Sequence, residues 1–381
     1  MKIIYCHCNV HNPGGMERVL LNKVTYLVER LGWEVVVVTT DQKGRAPFYA
    51  LPNQVRMIDL GINYTDDNGK NPCAKIYGYL WRKRLHKQRL TEVLLREKAD
   101  VVVSLFPSES SFIPKINDGS KKVLELHFNK FFRLQYSRLG LLGLIYRWRT
   151  RADDRLVRKF DKFVVLSNED REYWGDVPNI EVIPNAALIN GSGYATIESK
   201  RVIAVGRLDY QKGFDRLIKA WEIVCRDEYL SDWHLDIFGQ GEWRDMLQQM
   251  IDERSLQDRV TLNSPTKDIA KEYASSSMLV MSSNYEGFPM VMIEAMSKGL
   301  PIVTFDFECG PKDIIHHGEN GLLVKNGDIE GLAKAMISMM RDDAARTWMG
   351  ENAKKVVETY SEEAVMKQWI ELFNTLVERR A

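Results

Sequence analysis

Short runs of apolar, mostly β-branched residues recur along this chain and are separated by segments long enough to form helices. The runs are residues 3–5, 35–39, 101–104, 123–126 and 163–166 in the first half, and 202–205, 235–238, 260–262, 278–281 and 301–304 in the second. Nearly continuous apolar strands that alternate with helices are typical of a parallel sheet covered on both faces. The pattern therefore predicts an α/β protein with two successive Rossmann-like domains.

The apolar pattern breaks near Pro184 and restarts after Gly193, with a small polar stretch between them. We therefore predict an amino-terminal domain over residues 1–185 and a carboxyl-terminal domain over 186–360. Residues 361–381 form a predicted last helix that starts at Ser361, a good N-cap. One face of this helix carries an apolar stripe that must be buried: Val365, Met366, Trp369, Ile370, Phe373 and Val377.

The composition is that of a soluble globular protein. The 381 residues are 45% hydrophobic and 28% charged, and no apolar run reaches the roughly 18 residues of a spanning helix. The amino terminus has the pattern of a first strand and lacks that of a signal peptide.

Five scattered cysteines favour a reducing, cytoplasmic location. Cys6 and Cys8 flank His7, but no second ligand pair has zinc-like spacing, so these residues are interpreted as the end of a buried strand.

Charge is distributed unevenly between the two halves. Residues 1–185 contain 30 Lys and Arg against 21 Asp and Glu, whereas the remainder contains 23 against 31. A basic first half joined to an acidic second half indicates that the first domain meets an anionic partner.

Residues 282–301 carry the most informative pattern, with Glu286 and Glu294 eight positions apart at the start of a predicted helix. Pro289 suits the first helical turn and Gly299 suits the stop. Glu286 then lies in the loop before the helix and Glu294 lies within it. The unpaired N–H groups of a helix start favour an anion. Carboxylates that accept sugar hydroxyls beside such a helix start fit a nucleotide-sugar pocket, although two solvated glutamates would look the same in isolation.

Two cations follow a predicted strand of the second domain, where they would reach the same edge of its sheet. Arg207 comes just after residues 202–205, and Lys212 directly precedes Gly213, where the next helix is predicted to begin. An Arg fork and a Lys point charge suit a diphosphate. No Asp-x-Asp metal motif follows a strand, since Asp66-Asp67 lies in a polar loop, so we expect no metal.

Five motifs in the order and spacing of one family strengthen these interpretations. They are Gly14-Gly15, the Pro184–Ala186 step, GRLDYQKGFDRLIKAW from residue 206, FGQGE from residue 238, and the segment 282–301 with its two glutamates. Together they resemble the retaining glycosyltransferases of family 4, which have the GT-B fold. The resemblance covers most of the chain and is strongest over residues 202–324. It implies two Rossmann-like domains that face each other across a cleft, with the last helix crossing back to the first domain.

The resemblance also implies the roles of individual residues. Glu286 would hold hydroxyls of the transferred sugar, Glu294 the ribose hydroxyls, and Arg207 and Lys212 the diphosphate, while His127 would contact the donor sugar near the reacting carbon. Gly14 and Gly15 open a helix predicted over residues 16–30 and would lie against the donor phosphates. The remaining expected donor-binding residues are Gly206, Gly239, Gly241, Gly287, Phe288 and Pro289. The loop 264–267 is expected to meet the base.

The implied reaction transfers a hexose or N-acetylhexosamine with retention of configuration and without a cofactor. Residues 306–313, DFECGPKD, resemble a subgroup that builds cell-surface glycans from UDP-linked sugars, so the expected donor is a UDP-sugar. The expected acceptor is a glycan or a polyprenyl or other lipid-linked sugar, in pathways such as polysaccharide or lipopolysaccharide synthesis.

Two segments interleave aromatic and basic residues, namely 75–98 and 128–151. Segments that lie on anionic lipid have this character, and so do ordinary helices whose aromatics face the core. The first alternative predicts peripheral attachment to the inner face of the cell membrane. No motif supports nucleic-acid binding.

Other activities remain open at the level of sequence. A GT-B-fold epimerase or phosphorylase would share the motifs, and a non-catalytic nucleotide-sugar-binding protein would share the fold. A dehydrogenase is disfavoured, because both halves lack the G-x-G-x-x-G fingerprint of dinucleotide-binding domains.

Overall fold

The computed structural model describes residues 1–67, 69, 71–105, 108–134, 141–187, 193–195, 198–266 and 268–378. The chain divides into two compact units. The first contains Met1–Leu166, Asp170–Ile183 and the chain from Met366 onward, and the second contains Ser167–Glu169 and Pro184–Val365. Each unit is built on one parallel sheet with helices, so the predicted pair of Rossmann-like α/β domains is confirmed.

The first unit contains a seven-stranded parallel sheet in the order β3-β2-β1-β4-β5-β6-β7. Its strands are β1 Lys2–His7, β2 Glu34–Thr39, β3 Arg56–Asp59, β4 Val101–Ser104, β5 Lys121–Glu125, β6 Lys162–Val165 and β7 Ile180–Val182. The second unit contains a six-stranded sheet in the order β10-β9-β8-β11-β12-β13. Its strands are β8 Arg201–Val205, β9 His234–Phe238, β10 Val260–Asn263, β11 Met278–Met281, β12 Ile302–Asp306 and β13 Gly321–Lys325.

Helices connect these strands and cover the sheets. The α-helices are α1 Gly15–Thr25, α2 Pro72–Glu97, α3 Leu141–Val157, α4 Asn168–Trp174, α5 Phe214–Val224, α6 Arg244–Glu253, α7 Ile269–Ala274, α8 Met290–Ser297, α9 Pro311–Ile314, α10 Ile329–Arg341, α11 Asp343–Ala353, α12 Val356–Tyr360 and α13 Glu362–Glu378. A π-helical turn, Tyr26–Arg30, continues α1, and short 3-10 turns occupy Tyr64–Asp67, Ile113–Lys115 and Glu228–Leu230.

Three strands were not predicted, and all three lie at sheet edges: β3, β7 and β13. Strand β3 reads RMID and has no fully buried residue, whereas the central strands β4 and β11 are buried throughout. An edge strand has a neighbour on one side only and needs less apolar surface. The continuous apolar run that identifies a central strand is therefore absent from β3 and β7. Strand β13 contains the short run Leu322–Val324, but these residues are only half-buried.

The last helix, α13, packs on the first unit, as predicted. Ser361 caps it by accepting the N–H of Ala364 at 3.3 Å. Trp369 and Phe373 are fully buried, and the Phe373 ring centroid lies 6.3 Å from that of Trp33 and 5.4 Å from that of Trp369. Four residues of the predicted stripe are buried, namely Val365, Met366, Trp369 and Phe373. Ile370 and Val377 are half-buried, and Leu372 and Leu376, which were not predicted, are buried as well.

Replacement of Phe373 by Ala should destabilise the first unit strongly. The change deletes a fully buried ring between two tryptophans, and such deletions cost about 3–5 kcal/mol. Denaturant unfolding followed by tryptophan fluorescence measures the loss. The matched control is Asn374→Ala at the exposed neighbouring position, which should change stability by no more than about 0.5 kcal/mol. Equal effects of the two changes would contradict this packing.

Candidate donor site in the second unit

The predicted site residues of the second unit meet where the order of its strands reverses. Strand β8 lies between β9 and β11, so the chain leaves β8 in one direction and later returns on its other side. In open parallel sheets such a switch point leaves a crevice at the carboxyl ends of the strands. Two loops come together there. One joins β8 to α5 and carries Arg207 and Lys212, and the other joins β11 to α8 and carries Glu286.

Lys212 and Glu286 form a buried ion pair between these two loops. Lys212 Nζ donates to Glu286 Oε1 at 2.6 Å, and the two side chains are 14% and 6% exposed. Ser283 Oγ donates to the same carboxylate oxygen at 2.7 Å, and Gln211 Nε2 donates to Oε2 at 2.9 Å. Three donors thus hold both carboxylate oxygens of Glu286 in one orientation. The sequence did not single out Gln211 or Ser283, although both stand next to a predicted element of the site.

Arg207 is held less firmly than Lys212. Its side chain is 69% exposed, its Nη2 donates to Gln211 Oε1 at 2.8 Å, and its Nε lies 3.3 Å from Asp209 Oδ2. Gln211 therefore joins Arg207 to Glu286. The two predicted cations differ in kind, since Lys212 is fixed in place and the exposed Arg207 guanidinium keeps several donors directed toward solvent.

Hydrogen bonds to backbone carbonyls hold the β8–α5 loop and the β11–α8 loop together. Ser282 Oγ donates to the Lys212 carbonyl at 3.0 Å, and the Asn284 N–H donates to the Gln211 carbonyl at 2.8 Å. Gly213, the residue before α5, has φ of +58°, and a Cβ there would lie 2.4 Å from the Ser282 carbonyl oxygen. Only glycine satisfies both conditions, so Gly213 lets the loop place Lys212 against Glu286.

A cavity of about 350 Å³ opens beside this network within the second unit. Arg207, Gln240, Pro265, Thr266, Tyr273 and Glu294 are among the residues that line it. Tyr273 is buried, and its hydroxyl donates to Glu294 Oε2 at 3.4 Å. Burial and the neighbouring Glu294 carboxylate raise the pKa of Tyr273 well above its usual value, so this hydroxyl stays a donor. The cavity thus has a carboxylate on one wall and an arginine on another.

The glycines expected at this edge allow backbone to pack on backbone. A Cβ on Gly239 would lie 1.9 Å from the Gly206 carbonyl oxygen, and a Cβ on Gly241 would lie 2.3 Å from the Leu208 carbonyl oxygen. The Leu208 N–H donates to the Gln240 carbonyl at 2.9 Å. These close backbone contacts hold the loops after β8 and β9 together. Gly206 and Gly239 also line the cavity.

The start of α8 differs from the expected open helix end. The helix begins at Met290, so Pro289 precedes its first turn, and Glu294 lies in the second turn. The N–H groups of Met290 and Met292 already donate to the carbonyls of Phe288 and Pro289, each at 3.0 Å. The Phe288 ring is buried, with its centroid 5.8 Å from that of Tyr360. The Phe288 ring is therefore packed inside the second unit, and Pro289 has no N–H to offer a ligand.

The remaining predicted residues are three in the first unit and the loop 264–267 of the second unit. Gly14 precedes α1 and Gly15 is its first residue, beside the switch point between β1 and β4. His127 follows β5 and is buried, with Nε2 3.0 Å from Glu125 Oε1. Of the loop 264–267, Pro265 and Thr266 line the cavity, whereas Lys267 is not among the described residues.

The chain matches two glycosyltransferase family models and several curated proteins. Residues 195–356 match the family model of the glycosyl transferases group 1, and residues 13–187 match that of Glycosyltransferase Family 4. The chain is 28% identical over 375 residues to an uncharacterized glycosyltransferase of Haemophilus influenzae, covering 97% of this chain and 98% of that protein. It is 30% identical over 274 residues to the amylovoran biosynthesis glycosyltransferase AmsD of Erwinia amylovora, covering 68% of this chain and 76% of AmsD.

The fold is also shared with solved structures. A structure of S. aureus TarM in complex with fondaparinux, alpha-GlcNAc-glycerol and UDP superposes with a TM-score of 0.78 at 18% identity, covering 98% of this chain and 99% of that one. At this identity the likeness concerns the fold. Three further curated relatives are much longer, and this chain spans only 24%, 32% and 40% of their lengths.

Loss of Lys212 should destabilise the ligand-free second unit, because it leaves the buried Glu286 carboxylate without its ammonium partner. We expect Lys212→Met to lower the free energy of unfolding by about 1–3 kcal/mol. Adding Glu286→Gln should recover part of this loss, giving a coupling energy of about 1 kcal/mol in a double-mutant cycle measured by denaturant unfolding.

The control for this cycle is Lys219→Met. Lys219 pairs with Asp215 on the surface of α5 at 3.5 Å with a 43% exposed side chain, so its removal should cost less than about 0.5 kcal/mol. Strictly additive effects of the Lys212 and Glu286 changes would show that the two side chains do not interact in solution.

Proposed function

The chain belongs to glycosyltransferase family 4, and from this premise we propose that it moves a hexose or N-acetylhexosamine from a UDP-sugar to a glycan or lipid-linked acceptor. The transfer would retain the anomeric configuration and require no metal. The product would be part of a cell-surface polysaccharide, such as an exopolysaccharide or a lipopolysaccharide.

The buried Lys212–Glu286 pair beside the cavity is the observation that supports this activity best. A carboxylate held by three donors is oriented to accept hydroxyl hydrogens, as sugar binding requires. The ammonium on the same carboxylate, and Arg207 nearby, supply positive charge for a diphosphate. A sugar-binding group and a phosphate-binding group are thus joined at one sheet edge, next to a cavity of the size that small-molecule ligands occupy.

In this proposal the donor lies across the edge of the sheet. The base enters the cavity near Pro265 and Thr266, and the ribose hydroxyls bond to Glu294, which Tyr273 holds in place. The diphosphate lies against Arg207 and Lys212, and the sugar hydroxyls bond to Glu286. His127, Gly14 and Gly15 of the first unit remain predicted donor-binding residues on the strength of the family resemblance.

The proposed mechanism uses the leaving group itself. As the bond from the anomeric carbon to the phosphate breaks, negative charge grows on the phosphate oxygens and positive charge grows on the sugar ring. Arg207 and Lys212 stabilise the phosphate, and the acceptor hydroxyl attacks from the face that the phosphate leaves. The departing phosphate takes the hydroxyl proton, so no separate base is needed. Fixed cations act here as a metal ion would in other transferases.

The names of three relatives are consistent with the proposed sugar transfer. AmsD is named for amylovoran biosynthesis, and the Staphylococcus aureus and Bacillus subtilis relatives are named as transferases that glycosylate poly(ribitol-phosphate) and poly(glycerol-phosphate). The TarM structure contains UDP. Two of these relatives are thus named for polymeric acceptors, which is consistent with a polymeric acceptor for this chain.

Nucleoside diphosphate release tests this function. The purified protein is incubated with a panel of nucleotide sugars, with and without a membrane lipid extract, and we expect UDP release from one donor that depends on the extract. Release without an acceptor together with a new nucleotide sugar would indicate an epimerase, and phosphate-dependent cleavage of a glycan would indicate a phosphorylase. Tight UDP binding with no turnover under any condition would indicate a binding protein.

Arg207→Ala should lower turnover by about 10²–10³-fold, because one donor to the leaving phosphate is lost. The matched control is Arg226→Ala, which removes a 72% exposed arginine of the same unit outside the cavity and should leave turnover unchanged. Steady-state UDP release measures both variants. Near-normal turnover of Arg207→Ala would exclude this residue from the reaction.

We further propose that the first unit attaches to anionic membrane lipid through α2 and α3. Helix α2 exposes an apolar stripe of Ile76, Tyr77, Leu80 and Trp81, and α3 exposes Ile145 and Trp148. Exposed basic residues stand beside both sets: Lys75, Arg84, Lys87, Arg147, Arg149 and Arg151. Aromatic side chains flanked by Lys and Arg suit the boundary of an anionic bilayer. No helix of the described residues is long and apolar enough to cross a bilayer.

Vesicle co-sedimentation tests the attachment. The protein should sediment with vesicles that contain anionic lipid at low salt and should be released at high salt, because screening weakens surface charge attraction. Changing Tyr77 and Trp81 together to Ser should abolish sedimentation. Trp348→Ser, at a 54% exposed tryptophan of the second unit, serves as the control and should sediment normally. Unchanged sedimentation of the double variant would place the contact elsewhere.

A further inference from the structure

The first sheet has a switch point of its own, between the loop after β1 and the loop after β4. Strand β1 lies between β2 and β4, and Cys6 pairs with Ser104 near their carboxyl ends. In open parallel sheets such a point leaves a crevice in which ligands bind. Three titratable side chains define this β1–β4 crevice: His7 ends β1, Glu17 lies in the first turn of α1, and Glu109 lies in the loop after β4.

His7 is buried without a hydrogen bond. Its side chain is 3% exposed, and neither ring nitrogen has a hydrogen-bond partner among the described residues. Glu17 Oε1 lies 3.6 Å from His7 Nε2, which is longer than a hydrogen bond. His11, in the loop after β1, also has a buried Nδ1 without such a partner. Because buried polar groups in proteins are hydrogen-bonded, these nitrogens indicate a bound group that supplies the missing partners.

Glu109 adds a buried carboxyl group beside His7. Its Oε1 accepts a hydrogen bond from Ser104 Oγ at 2.6 Å, and His7 interacts electrostatically with both Glu109 and Glu17. The ring therefore lies close to both acids. Burial raises the pKa of Glu109, and Ser104, the Glu109 N–H and His7 offset this only in part. The protonated form, which donates as well as accepts, is thus favoured relative to an ordinary glutamate.

Glu17 covers the start of α1. A Cβ placed on Gly14, the N-cap residue, would lie 1.9 Å from Glu17 Oε2, so the carboxylate lies directly over this glycine. Burial opposes ionisation of Glu17, but His7 and the Glu17 N–H outweigh it and lower the pKa of this carboxyl. A helix start attracts anions, and here a negative charge of the chain itself takes that place. Gly15, where a Cβ would meet nothing within 4 Å, is the glycine left open for the predicted donor contact.

We propose that the β1–β4 crevice binds a neutral sugar through its hydroxyl groups and excludes a phosphate group. A hydroxyl both donates and accepts, which matches a site that offers histidine nitrogens, a carboxylate and a buried carboxyl group. A phosphate would meet the like charge of Glu17. Under the proposed function, on which this step rests, the neutral sugar is the terminal unit of the acceptor. The acceptor then differs from the polyol phosphates for which two relatives are named.

Paired probes test the site on the full chain. The methyl glycosides of glucose, galactose, mannose and N-acetylglucosamine are each compared with their 6-phosphates by saturation-transfer NMR. At least one neutral glycoside should bind, and its 6-phosphate should bind at least about tenfold more weakly, because like charges oppose it. In protein labelled with ¹⁵N-histidine, the same glycoside should shift the His7 signals, which are identified by their absence from His7→Leu. A shift of His7 places the sugar in the first unit and not at Glu286.

Two variants and a matched control separate the parts of the site. His7→Leu should weaken binding of the neutral glycoside by about three- to tenfold, because hydrogen-bond partners are lost. Glu17→Gln should leave neutral binding nearly unchanged and bring the 6-phosphate closer to its glycoside, because it removes only the charge. The control is Glu97→Gln, at a buried carboxylate that pairs with Lys2 at the amino end of β1, and it should change neither affinity.

Each outcome decides either the site or the function. If no neutral glycoside shifts His7, the buried nitrogens are served by water only and the proposal is overturned. Equal binding of a glycoside and its 6-phosphate would overturn it as well. If His7→Leu does not fold, the wild-type comparison and Glu17→Gln decide. A glycoside that shifts His7 in a protein that releases no UDP from any donor leaves the site standing while the proposed function fails. UDP release that depends on the membrane extract, without any shift of His7, sinks only the site.

Discussion

The contact between Lys212 and Glu286 depends on the order of strands in the second sheet. The two residues are 74 positions apart in the chain, and each follows the carboxyl end of a strand. Strands β8 and β11 are direct neighbours in that sheet, with Met278 beside Val202. Their loops must therefore leave the same edge side by side. Arg207 leaves the same edge on the loop after β8, and it lines the adjacent cavity. The glycine contacts instead join the loops after β8 and β9, which are also neighbouring strands.

The two units use the same topology to hold charge in different ways. In the second unit, three donors hold Glu286, while the Arg207 side chain stays 69% exposed. In the first unit, Lys23, Glu125 and His127 are all buried, and Glu125 Oε1 accepts a hydrogen bond from Lys23 Nζ. Buried charges need such partners, because the loss of hydration is otherwise uncompensated. The exposed Arg207 side chain keeps its hydration, so it does not require such partners.

Glycine has two separate roles in the loops of the second unit. Gly239 and Gly241 leave space for a neighbouring carbonyl, and Gly213 adopts a backbone angle that other residues avoid. The sequence motifs suggested that glycines in these loops lie near a ligand. The structure shows that Gly239 and Gly241 first allow the two loops to touch each other, and that Gly239 lines the cavity as a consequence. A motif glycine can therefore be required for packing at a position that also lines a cavity.

The order of apolar and polar residues is enough to predict the α/β class, the two sheets, their central strands and most of the buried face of the last helix. Each of these follows from local patterns of apolar residues, which burial on both faces of a sheet imposes. The edge strands β3, β7 and β13 were missed because an edge imposes a weaker pattern. The motif residues Arg207, Lys212, Glu286 and Glu294 were named from sequence, but their contacts were not. Only the tertiary structure joined Lys212 to Glu286 and His127 to Glu125 and Lys23, because contacts between side chains far apart in the chain depend on strand order and packing, which no local pattern records.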